Sequence, residues 1–166
     1  MLEEKSWWNY LDKDLQELLR ESEFLISEVG KWKETFRDYS FVVFPAAKAY
    51  EGFLKKILLD MHLISKEDYY GKHFRIGKSL NPTLEPKYRD EGWVYKRLSD
   101  FCHGEKLPQK LWETWRLSRN LVFHWFPREV NALTLAQAKG RYIMILSAID
   151  AMFSACDIEL ENAKGK

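Results

Sequence analysis

Apolar residues recur at three- and four-residue spacings along almost the whole chain, while two-residue alternation is scarce. That period gives each segment one stripe to bury, so the expected fold is all-α. Short connections between the later segments favour an antiparallel bundle. Glycine and proline punctuation divides the chain into about five helices. The first is expected from about Trp8 to Val29, stopping at Gly30, and the second from about Asp38 to Leu63. Pro45 either kinks the second helix or opens its main part. Between Ser65 and Pro86, Gly71, Gly77, Pro82 and Pro86 argue for a long polar connection without regular structure. A third helix fits about Asp90 to Cys102. A fourth starts at Pro108 and reaches about Phe126 before Pro127, and a fifth runs from Thr134 to about Glu161.

With 166 residues, 46% of them hydrophobic and 15% aromatic, one folded domain over 1–166 is expected and disorder is excluded. The opening MLEEKSWWNYLDKD is acidic and lacks a continuous apolar stretch, so no signal peptide is expected. No run approaches the roughly 18 apolar residues of a membrane span. Cys102 and Cys156 form no CxxC pattern and no disulfide framework, which points to a reduced, cytoplasmic protein without membrane attachment. Net charge is only +1, but it is unevenly spread. Residues 1–40 carry 6 Lys/Arg against 10 Asp/Glu, and residues 71–119 carry 11 against 6. The basic middle is either a phosphate-binding surface or solvated loop.

The stretch Ser118 to Pro127, SRNLVFHWFP, sets polar groups among aromatics near the end of the fourth helix. On a wheel of about 100° per residue, Leu111, Trp115, Leu117, Leu121, Val122, Trp125 and Phe126 share one apolar side. Arg116, Arg119, Asn120 and His124 occupy the remaining arc with Glu113 and an intruding Phe123. Arg119 and His124 are five positions apart, about 140° on the wheel, so they are not an adjacent i,i+4 pair. Asn120 and His124 do have that spacing. Pro127 places His124 in the last helical turn, where the helix dipole favours imidazolium. An imidazole to move protons beside a guanidinium to hold phosphate oxygens suits phosphodiester chemistry.

Arg119-Asn120-Leu121-Val122-Phe123-His124 resembles the Arg-x4–6-His signature of the HEPN superfamily, all-helical domains that carry it late in a helix. The earlier FPAAKAYEGFLKKILLDMHLISKEDYYGKHF is similar to the catalytic, antitoxin-binding domain of RNase LS-type bacterial toxins (the RnlA/LsoA type). The likeness covers most of the chain from about Tyr39. In that subgroup an Arg-x2-Glu pair on the second helix joins the late motif. Here Glu51 matches, and Lys48 stands where the subgroup has arginine, keeping the charge without the bidentate fork. Toxins of that type carry further N-terminal domains, so the chain is either a stand-alone relative or one domain of a longer protein.

The resemblance implies a metal-independent endoribonuclease, without cofactor, that acts as a homodimer with motifs from two protomers in one cleft. It implies an RNA substrate and an antitoxin protein as partners. The implied reaction is attack of a ribose 2′-OH on the adjacent phosphate. His124 would transfer protons, Arg119 would stabilise the phosphorane, and Asn120 would orient the imidazole or phosphate. Glu51 would orient a cation or accept a proton. The alternative is a catalytically silent HEPN module that dimerises and docks a partner.

Other motifs lead less far. GKHFRIGKS, Gly71 to Ser79, has five residues between its glycines where a P-loop has four, and no strand precedes it. It is either a basic RNA-contacting loop, through Lys72, His73, Arg75 or Lys78, or a solvated linker. Cys102-His103 lacks a second Cys/His pair for zinc and reads as a buried Cys beside a surface His. Trp7, Trp8, Trp93, Trp112, Trp115 and Trp125 suit core or dimer interface better than base stacking. Glu51 and Lys55 have the spacing of a surface ion pair, which competes with a catalytic Glu51.

Overall fold

The computed structural model describes residues 1–125, 127 and 131–155. They form an all-α bundle, with no strand among the described residues. Seven α-helices follow in order: α1 Lys13–Glu28, α2 Phe44–Asp60, α3 Lys66–Tyr70, α4 Ile76–Ser79, α5 Tyr95–Phe101, α6 Lys106–Trp115 and α7 Leu135–Ala155. The five expected helices are present, the first four with shorter bounds, and α3 and α4 are the additions; the expected end of the fifth near Glu161 lies outside the described residues.

The core is built around α2, whose Ala46, Ala49, Tyr50, Phe53, Leu54, Ile57 and Leu58 are buried. Pro45 lies in its first turn, where a missing N–H costs nothing, so it opens the helix and does not kink it. α1 lies along α2 through Leu15 and Leu19. Ser22 Oγ accepts from Ala46 N at 2.9 Å, which satisfies one of the free amides of the α2 first turn from a neighbouring helix. A Cβ on Gly52 would stand 2.6 Å from Leu15 Cδ2, so glycine is what lets the two helices close there. From the other side α6 contributes Leu111 and Trp115, and α7 contributes Ile145, Ala148, Ile149 and Met152. The buried Tyr50 hydroxyl donates to Leu111 O at 3.1 Å and ties α2 to α6.

The N-terminal residues do not extend α1 back to Trp8, as expected. Trp8–Tyr10 is a 3-10 turn, and Asp12 is extended before α1 begins. The reason is Trp7, which is fully buried and donates from Nε1 to Asp150 Oδ1 at 2.6 Å. Lys5 pairs with the other oxygen of Asp150 at 2.8 Å. One α7 carboxylate thus holds the first residues across the bundle, along a path a continuous helix would not take. Asp38 makes a similar tie before α2. Its Oδ1 accepts from Ser40 N, Ser40 Oγ and Leu133 N, joining the approaches to α2 and α7.

The 65–86 connection is more ordered than its glycines and prolines suggest. Ser65 and Asp68 form a reciprocal capping box that starts α3. α4 is held by packing: a Cβ on Gly77 would lie 2.2 Å from the Cη2 atom of the buried Trp115, so the ring lies against bare backbone. α2 and α5 end alike. His62 (φ 57°) and His103 (φ 54°) take the left-handed conformation just past each helix. Leu63 N then bonds Leu58 O at 2.8 Å, and Gly104 N bonds Ser99 O at 2.8 Å, the six-to-one bond of a Schellman turn.

α6 does not continue as an α-helix to Phe126. Arg116–Asn120 is a π-helical segment, with Leu121 N bonded to Arg116 O five residues back at 2.9 Å. Thr114 and Ser118 are buried with Leu107, Leu111, Trp115 and Val122, while Leu117 and Leu121 are only half-buried. Trp125, placed by the wheel on the apolar side, is 83% exposed, and Phe126 lies outside the described residues. Cys102, expected to be buried, is half-buried, and Cys156 lies outside the described residues. No helix among the described residues is long and apolar enough to cross a membrane.

Candidate functional site

On α2, Phe44, Lys48, Glu51 and Lys55 recur at i, i+4, i+7 and i+11, the spacing that puts side chains on one helix face. The opposite face is committed to the core, so this stripe turns outward. The π-helical segment after α6 lies against it. There Arg119 crosses to α2, and its Nε donates to Glu51 Oε2 at 3.1 Å. The same guanidinium lies 5.7 Å from the centre of the Trp115 ring. Both members of the pair keep about a third of their side-chain surface exposed, 37% for Arg119 and 31% for Glu51.

These residues line a groove of about 470 Å³. Phe44 and Phe123 close one end with an edge-to-face contact at 5.1 Å between ring centres. Lys48, Lys55 and Arg119 set three cations against the single carboxylate of Glu51. Arg119 gives one donor to Glu51, and a guanidinium has five, so the pair leaves donors for an anion. The groove is therefore a cationic, partly apolar cleft suited to a phosphate-bearing chain with exposed bases.

Of the residues expected at the site, the structure brings together Lys48, Glu51 and Arg119, from segments 68 positions apart in the case of Glu51 and Arg119. Asn120 follows Arg119 and is half-buried, but it does not line the groove. His124 is exposed and also stands outside the groove lining, one residue beyond Phe123. It lies outside the helix: residues 121–123 form a turn, and residues 124 and 125 have no regular secondary structure. His124, expected in the last helical turn, thus comes after the π-helical segment and the turn that follows it.

Glu51 takes Arg119, and not Lys55, as its ion-pair partner. The position of Lys55 was legible as one more step of the α2 stripe. Phe44 was legible in the same way, and Phe123 shares the arc of Arg119, four positions before it, on the fourth-helix wheel. Among the described residues no group of three or more His, Cys, Asp or Glu side chains is arranged to hold a metal ion. No protein-family profile, curated protein or solved structure matches the chain.

Proposed function

We propose that the protein is a metal-independent endoribonuclease of the HEPN type, the toxic component of a toxin–antitoxin or phage-defence pair, acting as a cytoplasmic homodimer. The observation that supports this reading is the Arg119–Glu51 pair within a groove lined by Lys48 and Lys55. Arg119, Glu51 and Lys48 are among the residues that the sequence motifs single out, and they share one groove, while His124 stands outside its lining.

In this reading the lysines hold backbone phosphates, and Arg119 stabilises the charge that develops on the attacked phosphorus. His124 takes the proton of the attacking 2′-OH or delivers one to the leaving 5′-oxygen. Asn120 orients the imidazole or the phosphate. Glu51 holds the guanidinium in place between turnovers. Because His124 lies beyond the groove of its own chain, the composite cleft of a homodimer is the arrangement that would bring it to a bound phosphate.

A second reading, a silent HEPN module that dimerises and docks an antitoxin, is favoured by that same exposed position of His124. Incubation with single-stranded RNA in EDTA separates the two, using wild type, His124→Ala and Arg119→Ala. Cleavage by wild type that disappears in both folded variants supports the nuclease. An inert wild type, purified without antitoxin, leaves the docking module. Sedimentation on the same samples reads the oligomeric state, and a strictly monomeric active enzyme would rule out the shared cleft.

A further inference from the structure

A second cavity, of about 710 Å³, lies at the far end of α2 from Phe44 and is larger than the Arg119 groove. Its walls come from the chain after α2, from α4 and from the segment leading into α5. Leu63, Ile64 and Phe74 supply a buried apolar surface. The volume falls in the range of small-molecule sites, about 300–1,000 Å³.

The charges of the lining are unequally committed. Asp68 is consumed by the α3 capping box, where it accepts from Ser65 N and Oγ. Asp90 is paired with Lys78 and also accepts from Gly92 N at 3.1 Å. Arg75 and Arg97 have no carboxylate partner among the described residues, and neither has Glu91. Each arginine is instead braced by backbone. Arg75 Nη1 donates to the carbonyls of Lys72 and Phe74, and Arg97 Nη2 donates to that of Glu91. Bracing at one nitrogen leaves the remaining N–H groups of each fork for a ligand and reduces the entropy lost when they bind it. Ser79, also in the lining, has a buried Oγ with no hydrogen-bond partner in the protein. The carbonyls of Leu58 and Leu59, which end α2 at this cavity, are already taken by the N–H groups of Leu63 and His62.

We propose that this cavity binds a phosphate ester, with Arg75 and Arg97 gripping the phosphoryl oxygens. Two braced guanidinium groups match the bidentate geometry of phosphate. The apolar wall of Leu63, Ile64 and Phe74 suits an organic moiety attached to the phosphate. The phosphate comes either from a free mononucleotide or from the 5′ end of a strand.

Calorimetric titration of the full chain tests this with 5′-AMP, adenosine, and a 2′-O-methyl RNA tetramer with and without a 5′-phosphate. Adenosine is expected to bind at least about tenfold more weakly than 5′-AMP, and Arg75→Ala/Arg97→Ala to weaken 5′-AMP by about tenfold or more. Glu91→Lys, which removes the opposing carboxylate at an exposed position, should tighten 5′-AMP several-fold, a gain that misfolding cannot produce. A phosphorylated tetramer that binds more tightly than 5′-AMP assigns the phosphate to a strand, and one that binds equally or less tightly assigns it to a nucleotide. Equal affinities for 5′-AMP and adenosine overturn the proposal, as do unchanged affinities in both variants or no binding by any phosphorylated probe at millimolar concentration. Binding is read without turnover, so the result is independent of whether the Arg119 groove cuts RNA.

Discussion

Arg119 and Glu51 meet at 3.1 Å across the groove between α2 and the π-helical segment, each with about a third of its side chain in solvent. Exposure of that extent decides what the pair contributes to folding. A half-exposed ion pair is screened and carries an entropy cost, so a double-mutant cycle over Arg119→Ala and Glu51→Ala should return a coupling of about 0.2–1 kcal/mol. Urea melts of the four proteins give that value directly. A coupling near 3 kcal/mol would instead mark the pair as a structural strut and would weaken any argument from lost activity.

Gly77→Ala should destabilise by about 1–3 kcal/mol, because its Cβ would stand 2.2 Å from the Trp115 ring and that ring is buried. Chemical denaturation followed by tryptophan fluorescence measures the loss. A neutral substitution would mean that α4 can withdraw from α6 without penalty.

His103→Gly should raise stability by about 0.5–1 kcal/mol, because His103 stands at φ 54°, where a Cβ is strained and glycine is not. His62→Gly, at φ 57°, should behave alike. Alanine at either position keeps the Cβ and should bring no gain. Thermal melts of the two glycine variants against their alanine counterparts separate backbone strain from loss of the imidazole.

Burial disfavours the charge on Asp38, yet hydrogen bonds from Ser40 and Leu133 N outweigh it and hold the carboxyl below the ordinary aspartate pKa. A group depressed in the folded state binds its proton more readily when unfolded. Its contribution is thus complete above the unfolded value of about 3.9 and is lost as pH falls through the folded value. Asp38→Asn should therefore be less stable than wild type near neutrality, with the gap narrowing below about pH 4. Melting curves from pH 7 to pH 2.5 test the sign, and a gap that widens in acid would refute it.

The sequence makes much of this architecture readable, and the misses have physical causes. Pro45, the α2 periodicity and the Gly104 stop all mark elements that form. α3 is missed because the glycines and prolines of the connection carry the sequence reading, whereas the Ser65–Asp68 capping box that starts it is a local pair. α4 has no such signal, since it is fixed by the fit of Gly77 to Trp115, a contact between residues far apart in the chain. Trp8 looked helical because its spacing suits α1, but Trp7 and Asp150 pull that segment onto α7. Lys48 and Glu51 were singled out by the family resemblance, and the structure sets both in one groove with Arg119. The site was not legible at His124, since a uniform 100° wheel cannot anticipate a turn of wider pitch.

That wider turn has a consequence for how the groove can change. A π-turn holds one residue more than the α-turn it replaces, so Arg116–Asn120 carries one residue beyond a regular pitch. Upstream, Leu111 and Trp115 stay locked to the core; within the wider turn, Arg119 reaches across to Glu51. Deleting one residue within the segment would restore a regular pitch and leave the chain after it nearly in phase, because the wider turn does no more than absorb the one extra residue. A single-codon loss there would redirect only the side chains inside the turn, Arg119 among them, and spare the packing on either side.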